Sequence, residues 1–318
     1  MTRKALGFSF LTDVDLGNHN AGEGGSQLAD LKKYGNRPYI SGQAYRRAMK
    51  EALREQIDDP QKANCSSRYP CGEIEECLIC DIFGYMNTDE FDANDDETPQ
   101  VKRPAPLRVS KLLGQYERPK TTDMILQEDQ SEAADNRIGY REIAQNVYHG
   151  GVMLDVSAVG RREETTVDES EDHDEICDRE FNDKIKSDER ANRVNALVHS
   201  VRSASNLAGQ ARHMADFMPD LVVGATLPEY NQRIQNALNL DTETETLVIP
   251  QLEHVIADIT ALDGDVWIAG TENPDVIGNW KDVLAAADDA GAMVTESVTG
   301  CFNAVADHAV DSPADARN

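Results

Sequence analysis

Four of the six cysteines fall between positions 65 and 80, as Cys65, Cys71, Cys77 and Cys80 with the spacing C-x5-C-x5-C-x2-C. Four soft thiolates complete a tetrahedral zinc shell without histidine, and the Cys77-x2-Cys80 pair is a usual metal knuckle. The two five-residue gaps are less typical. Disulfides, free thiols and an iron–sulfur cluster are the other chemistries open to this quartet. A closed four-cysteine shell leaves no open coordination position, so the zinc expected here is structural and folds a segment too polar to fold by burial.

The remaining reactive residue types are sparse. Asp13 and Asp15 are placed to act as a general base or to hold a hydrated metal for RNA cleavage, although two loop aspartates in an acidic chain more often cap or face solvent. His149, His199 and His213 form no zincin pair, and the chain has no G-x-S-x-G elbow, Walker loop or dinucleotide fingerprint. Cys177 and Cys301 read as packing or surface thiols. A binding and assembly protein is therefore expected, not an enzyme.

Residues suited to phosphate lie elsewhere. Arg46, Lys50 and Arg54 recur every four residues with Arg47 beside them, a basic stripe on one helical face. The alternative is a solvated face paired locally with Glu51 and Glu55. The segment Ser205–His213, SNLAGQARH, couples small residues with Asn206, Gln210, Arg212 and His213, so that exposed amides and cations are available to an anion. Thr12 to Gly25, TDVDLGNHNAGEGG, is rich in the glycines and asparagines, Asn18 and Asn20 among them, that expose backbone N–H groups in ligand-facing loops.

These residues must be carried by regular elements. Leu6, Phe8 and Phe10 alternate with Gly7, Ser9 and Leu11, which predicts a half-buried strand over residues 5–12. Ser41 is placed to cap a helix from about Gly42 to Ile57, with Tyr45, Ala48, Met49, Ala52 and Leu53 on its apolar face. Residues 58–100 read as an insertion, and 118–146 as a protruding hairpin. A second strand is expected over 152–158 and a helix on Val194, Leu197, Val198 and Val201. Strand-like DLVVGA follows, and then helical patterns in EYNQRIQNAL and NWKDVLAAADDAGAMV. The run 163–183 holds eleven acids and one arginine, so like-charge repulsion predicts a solvated, mobile loop.

The 318 residues carry a net charge of -27, from 58 acids against 31 lysines and arginines. A nucleic-acid mimic is one reading of such acidity; the simpler one is the solvated surface of a protein that works in high salt. Residues 101–120 reverse the trend, with six Lys or Arg against one Glu. No stretch approaches the roughly 18 to 20 apolar residues of a membrane span, and the first residues lack a signal-peptide block. A cytoplasmic, reducing location is expected.

The strand and loop GFSFLTDVDLGNHNAGEGG, the helix start YISGQAYRRAMKEALRE, the strand HGGVMLDVSAVGR and the turn SASNLAGQARHMADFMPDLVVGA, in that order, resemble the Cas-seven family of CRISPR-associated proteins. The likeness is to its DevR-type autoregulator branch of type I-B complexes. That resemblance implies an α+β fold: a modified RNA-recognition-motif, ferredoxin-like palm with inserted finger and thumb and a helical C-terminal part. Residues 1–57 and 149–228 would form the palm, 58–114 the finger, 115–148 the thumb and 229–318 the helical part. It implies a homo-oligomeric filament on crRNA, pairing with target DNA, beside the Cas-five, Cas-six and large subunits. Carried onto this sequence, Ser41, Gly42, Gln43, Arg46, Arg47 and Lys50, then Asn206, Gly209, Gln210 and Arg212, would touch guide phosphates, with Arg137 and Arg141 near the thumb tip. Type III relatives cut RNA with a first-loop aspartate in a glycine-flanked context that Asp13 and Asp15 lack, and the acidic run has no counterpart in the family. Phosphate contacts weaken steeply with salt, so amides, stacking and multivalent assembly must carry much of the affinity.

Overall fold

The computed structural model of the chain describes residues 4–19, 28, 29, 31–57, 59–65, 69–86, 102–117, 121–127, 137–169, 174–204, 207 and 214–311. The calls on Asn20, Asn206, Gly209, Gln210, Arg212 and His213 lie outside these residues.

Strand β1 (Ala5–Gly17) runs five residues beyond the expected end and is buried on both faces as far as Thr12. It is not half-buried because it lies in the middle of a sheet with neighbours on either edge and cover on either face. Short strands β2 (Leu28–Ala29), β3 (Lys33–Tyr34) and β4 (Arg37–Ile40) lead to helix α1 (Gly42–Glu55). Ser41 caps α1 as expected, its hydroxyl accepting from the Ala44 N–H at 3.3 Å, a bond of the kind worth ~1 kcal/mol. Tyr45, Ala48, Met49, Ala52 and Leu53 form its buried face.

In the described part of the insertion a 3-10 turn (Pro60–Ala63) precedes helix α2 (Leu78–Phe83), and β5 (Tyr85–Met86) then pairs with β6 (Lys102–Arg103). Strands β7 (Leu107–Val109) and β8 (Leu112–Gly114) return the chain to the sheet. The hairpin is present: β9 (Thr121–Gln127) lies antiparallel to the first part of the 19-residue β10 (Arg137–Asp155), from Ile143↔Thr121 to Arg137↔Gln127. The strand expected over 152–158 thus begins far earlier and stops at Asp155, where Val156–Ala158 makes a 3-10 turn.

The acidic run is not a loop. Strands β11 (Arg161–Glu169) and β12 (Asp174–Asp183) pair in antiparallel register from Arg161↔Asp183 to Glu169↔Asp174, with a shift between Thr166 and Val167. Thr165, Thr166, Val167, Ile176 and Phe181 are interspersed among the acids and favour strand. Arg161 closes the base of the hairpin, its Nε donating to Asp183 at 3.1 Å.

Helix α3 (Ser187–Arg202) buries Val194, Leu197, Val198 and Val201 as expected, and β13 (Leu221–Leu227) is buried throughout. Beyond it the EYNQRIQNAL pattern yields only a 3-10 turn, Arg233–Asn236. Hairpin β14 (Leu240–Asp241) and β15 (Thr246–Leu247) precedes α4 (Ile249–Thr260), β16 (Asp265–Gly270), α5 (Trp280–Asp289), β17 (Met293–Val294) and α6 (Val298–Asp311). The last part is therefore mixed: β16 pairs with β13 and extends the central sheet.

That sheet has the order β17-β16-β13-β1-β10-β8-β4-β3, with β2, β7 and β9 also on β10. Leu6, Phe8 and Phe10 face one core with α1, α2, α3 and α6, where the Phe8 and Phe302 rings lie 4.5 Å apart. Leu11, Val147, Met153 and Val223 face a second core under α4 and α5. Both faces of the central strands are covered, which confines any ligand to the strand ends, helix ends and projecting hairpins. Among the described residues no helix is long and apolar enough to cross a membrane.

Candidate metal centre and nucleic-acid face

The insertion gathers its cysteines. The sulfur atoms of Cys65, Cys71, Cys77 and Cys80 all lie within 4.8 Å of one another. Cys71 and Cys80 are 3.7 Å apart, close to the ~3.8 Å edge of a tetrahedron with metal–sulfur bonds of about 2.3 Å. All four are free thiols, and 3.7 Å is far beyond the ~2.05 Å of a disulfide. Cys77 caps α2, its sulfur accepting from the Cys80 N–H at 3.5 Å, while Cys65 accepts from the Cys71 N–H at 3.2 Å. Such backbone donors favour charged sulfur. The Cys77 thiol is drawn down to about 5, chiefly by its side-chain bond with Cys80, whereas burial pushes Cys65 up to about 11. The bond to Cys77, then burial, raises Cys80. A cation in place of the shared protons would let all four ionise.

Arginines tie this insertion to the rest of the chain. Asp81 on α2 is fully buried; it accepts from Arg103 at 2.6 Å, from Arg193 of α3 at 2.8 Å and from the Gly160 N–H at 2.9 Å. Arg193 also donates to the Ile74 and Glu75 carbonyls, each at 2.6 Å.

The basic stripe of α1 turns toward the same insertion. Arg46 donates to the carbonyls of Leu107 and Phe83, at 3.0 and 2.6 Å, and Arg54 to those of Ala63 and Cys65, both at 2.8 Å. Lys50 Nζ lies 5.1 Å from the centre of the Phe83 ring. Burial lowers the Lys50 pKa, as do Arg46 and Arg54, while Cys80 and Cys77 act in the opposite sense. Gln43 and Arg47 are the exposed members, Arg47 pairing with Glu51 at 3.1 Å.

One contact ties α1 to the end of α3, and a second ties the end of β1 to Phe217. Tyr45 Oη donates to the Val201 carbonyl at 3.1 Å, next to the end of α3 from which the 205–213 segment departs. Phe217, which follows that segment, meets the His19 ring edge-on at 5.3 Å, just after β1. Asn18 itself is fully buried, not displayed on a loop, because β1 continues to Gly17. Arg137 and Arg141 lie on the projecting half of β10, opposite Gln127 and Asp123. The same hairpin displays a pair the sequence reading missed: Met124 and Tyr140 are directly opposed and about half exposed.

The other reactive candidates do not assemble. Asp13 lies inside β1, its N–H donating to Asp220 Oδ2 at 2.8 Å, and burial raises the Asp220 carboxyl. Among the described residues, the cysteine quartet is the one group of three or more His, Cys, Asp or Glu side chains close enough to share an ion. His149 is tied to Ser9 at 2.9 Å between β1 and β10, and burial draws it down to about 4. His199 is exposed on α3 beside Arg202.

The architecture is that of chains in solved CRISPR RNA-guided surveillance complexes. One such chain is 13% identical, with 96% of this chain and 99% of that chain covered at a TM-score of 0.58. A second, in a complex described as pre-nicking, is 12% identical over 96% and 99% with a TM-score of 0.56. Over residues 25–226, more than half its length, the chain matches the family described as CRISPR-associated negative auto-regulator DevR/Csa2, and it belongs to that family. No curated protein matches it.

Proposed function

We propose that the chain is a guide-RNA-binding backbone subunit of a CRISPR surveillance complex, copies of which line up along the crRNA and present its bases to target DNA. Family membership and the likeness of fold to subunits of RNA-guided complexes support this reading. The strand order β13-β1-β10-β8, with α1 between β1 and β8 along the chain and α3 between β10 and β13, supports the reading of a ferredoxin-like palm. The open sheet face on which an RNA-recognition motif stacks bases is covered here by α4 and α5.

The observations that carry the reading are the α1 start, tied through Tyr45 to the end of α3, and the exposed, directly opposed Met124 and Tyr140 of the β9–β10 hairpin. Ser41, Gly42, Gln43 and Arg47 would take backbone phosphates at the α1 start, and Met124 and Tyr140 offer a base a surface to stack on. The Cys65, Cys71, Cys77 and Cys80 quartet is a structural zinc centre in this reading, and the chain does no chemistry. Sequence recognition is left to base pairing.

The test is to purify the chain from its native complex in molar KCl and sequence the RNA that comes with it. Short RNA of uniform length is expected, with no cleavage of a complementary RNA on adding Mg2+ and no change in retention for Asp13→Asn. Absence of RNA favours a nucleic-acid mimic, and Mg2+-dependent cleavage lost in Asp13→Asn favours a nuclease.

A further inference from the structure

A metal bound by four thiolates leaves the centre with two net negative charges if the ion is divalent, inside a protein that already carries -27. Such a centre needs positive charge close by, because burial of uncompensated charge is costly. The basic face of α1 is turned toward the segments that carry its ligands. Arg54 holds the carbonyl of the ligand Cys65 at 2.8 Å and that of Ala63, two residues earlier, at the same distance. Lys50 reaches over Phe83, the last residue of α2, which also carries Cys80. Arg46 grips the Phe83 carbonyl at 2.6 Å. Three successive cations of the stripe thus grip the two segments that supply the first and last cysteines.

We infer that Arg46, Lys50 and Arg54 are the charge-balancing and positioning shell of the cysteine metal centre, so that this face of α1 serves the metal and not the guide. The inference rests on the metal reading above. It assigns α1 two tasks on different faces: Gln43 and Arg47 remain exposed for phosphate, and Arg46, Lys50 and Arg54 anchor the insertion. Metal loading and the placement of α1 are then linked, since the same three side chains join them.

Lys50→Met removes one charge and keeps the stem on Phe83; Lys50→Arg restores the charge, and Lys50→Gln repeats the loss with a polar tip. The readouts are metal content by elemental analysis, release of zinc to a colorimetric chelator, and RNA retained by the assembled complex. Loss of an outer-shell partner typically weakens metal affinity 10- to 100-fold, so about tenfold easier zinc release is expected for Lys50→Met and Lys50→Gln, with Lys50→Arg close to native and RNA retention unchanged. Native metal with unchanged release in both neutral variants overturns this inference and leaves the metal centre standing. RNA loss in those variants with tight metal shows that the stripe is a guide face, and likewise overturns it. A native chain with no bound metal overturns both readings.

Discussion

At the scale of single residues, burial decides what each titratable group contributes. His149 lies between β1 and β10 with Ser9 as its partner, and burial holds its pKa at about 4, below the ordinary 6.5. The folded chain keeps the ring neutral, while an unfolded chain takes up a proton below about pH 6.5. The stability associated with the neutral ring is complete above that pH and is lost as pH falls toward 4, by about 3 kcal/mol at most. Urea unfolding between pH 7.5 and 4.5 should therefore show a steeper acid loss for the native chain than for His149→Asn, and equal slopes would mean that the ring titrates freely. The histidine was plain in the sequence, but its role was not, because only the pairing of residues 140 positions apart shows what surrounds it.

At the scale of elements, the chain uses arginine where a small insertion lacks a core of its own. Asp81 on α2 receives Arg103 and Arg193, so one carboxylate joins the insertion to β6 and α3. Removing one partner of a buried ion pair leaves uncompensated charge and costs about 3 to 5 kcal/mol. Asp81→Asn should lower stability by that order in chemical denaturation and loosen residues 69–86 to proteolysis; a change under about 1 kcal/mol would reduce the contact to a surface pair. Periodicity reveals α1 and α3, since their apolar spacing matches the face they bury, and the polar, turn-rich stretch around ADNR marks the β9–β10 hairpin. Periodicity does not reveal β11 and β12, whose strand-forming Thr165, Thr166, Val167, Ile176 and Phe181 are scattered among acids, nor the 3-10 turn at Arg233–Asn236, where a helical pattern stops after one turn beside β1.

At the scale of the molecule, the charge of -27 sets the conditions under which the fold holds. Self-repulsion opposes a compact state, and its reach falls from a Debye length of ~10 Å at 0.1 M salt to ~3 Å at 1 M. The thermal midpoint should climb as KCl rises from about 0.1 to about 2 M, and a midpoint that falls over this range would remove the high-salt reading of the surface. RNA retention across the same titration separates phosphate attraction, which weakens with salt, from stacking and amide contacts, which persist.

By itself the sequence determined what depends on local spacing: the cap and apolar face of α1, the hairpin, the quartet of cysteines and the order of motifs that marks the family. Tertiary structure decided what depends on which segments meet. It placed α4 and α5 over one face of the central sheet, and drew β16 from the expected helical part into that sheet. It also turned Arg46, Lys50 and Arg54 inward to the insertion. A helical wheel shows that three cations share a face, but the direction of that face is fixed by long-range packing, here of Tyr45 and Met49 into the core beneath β1.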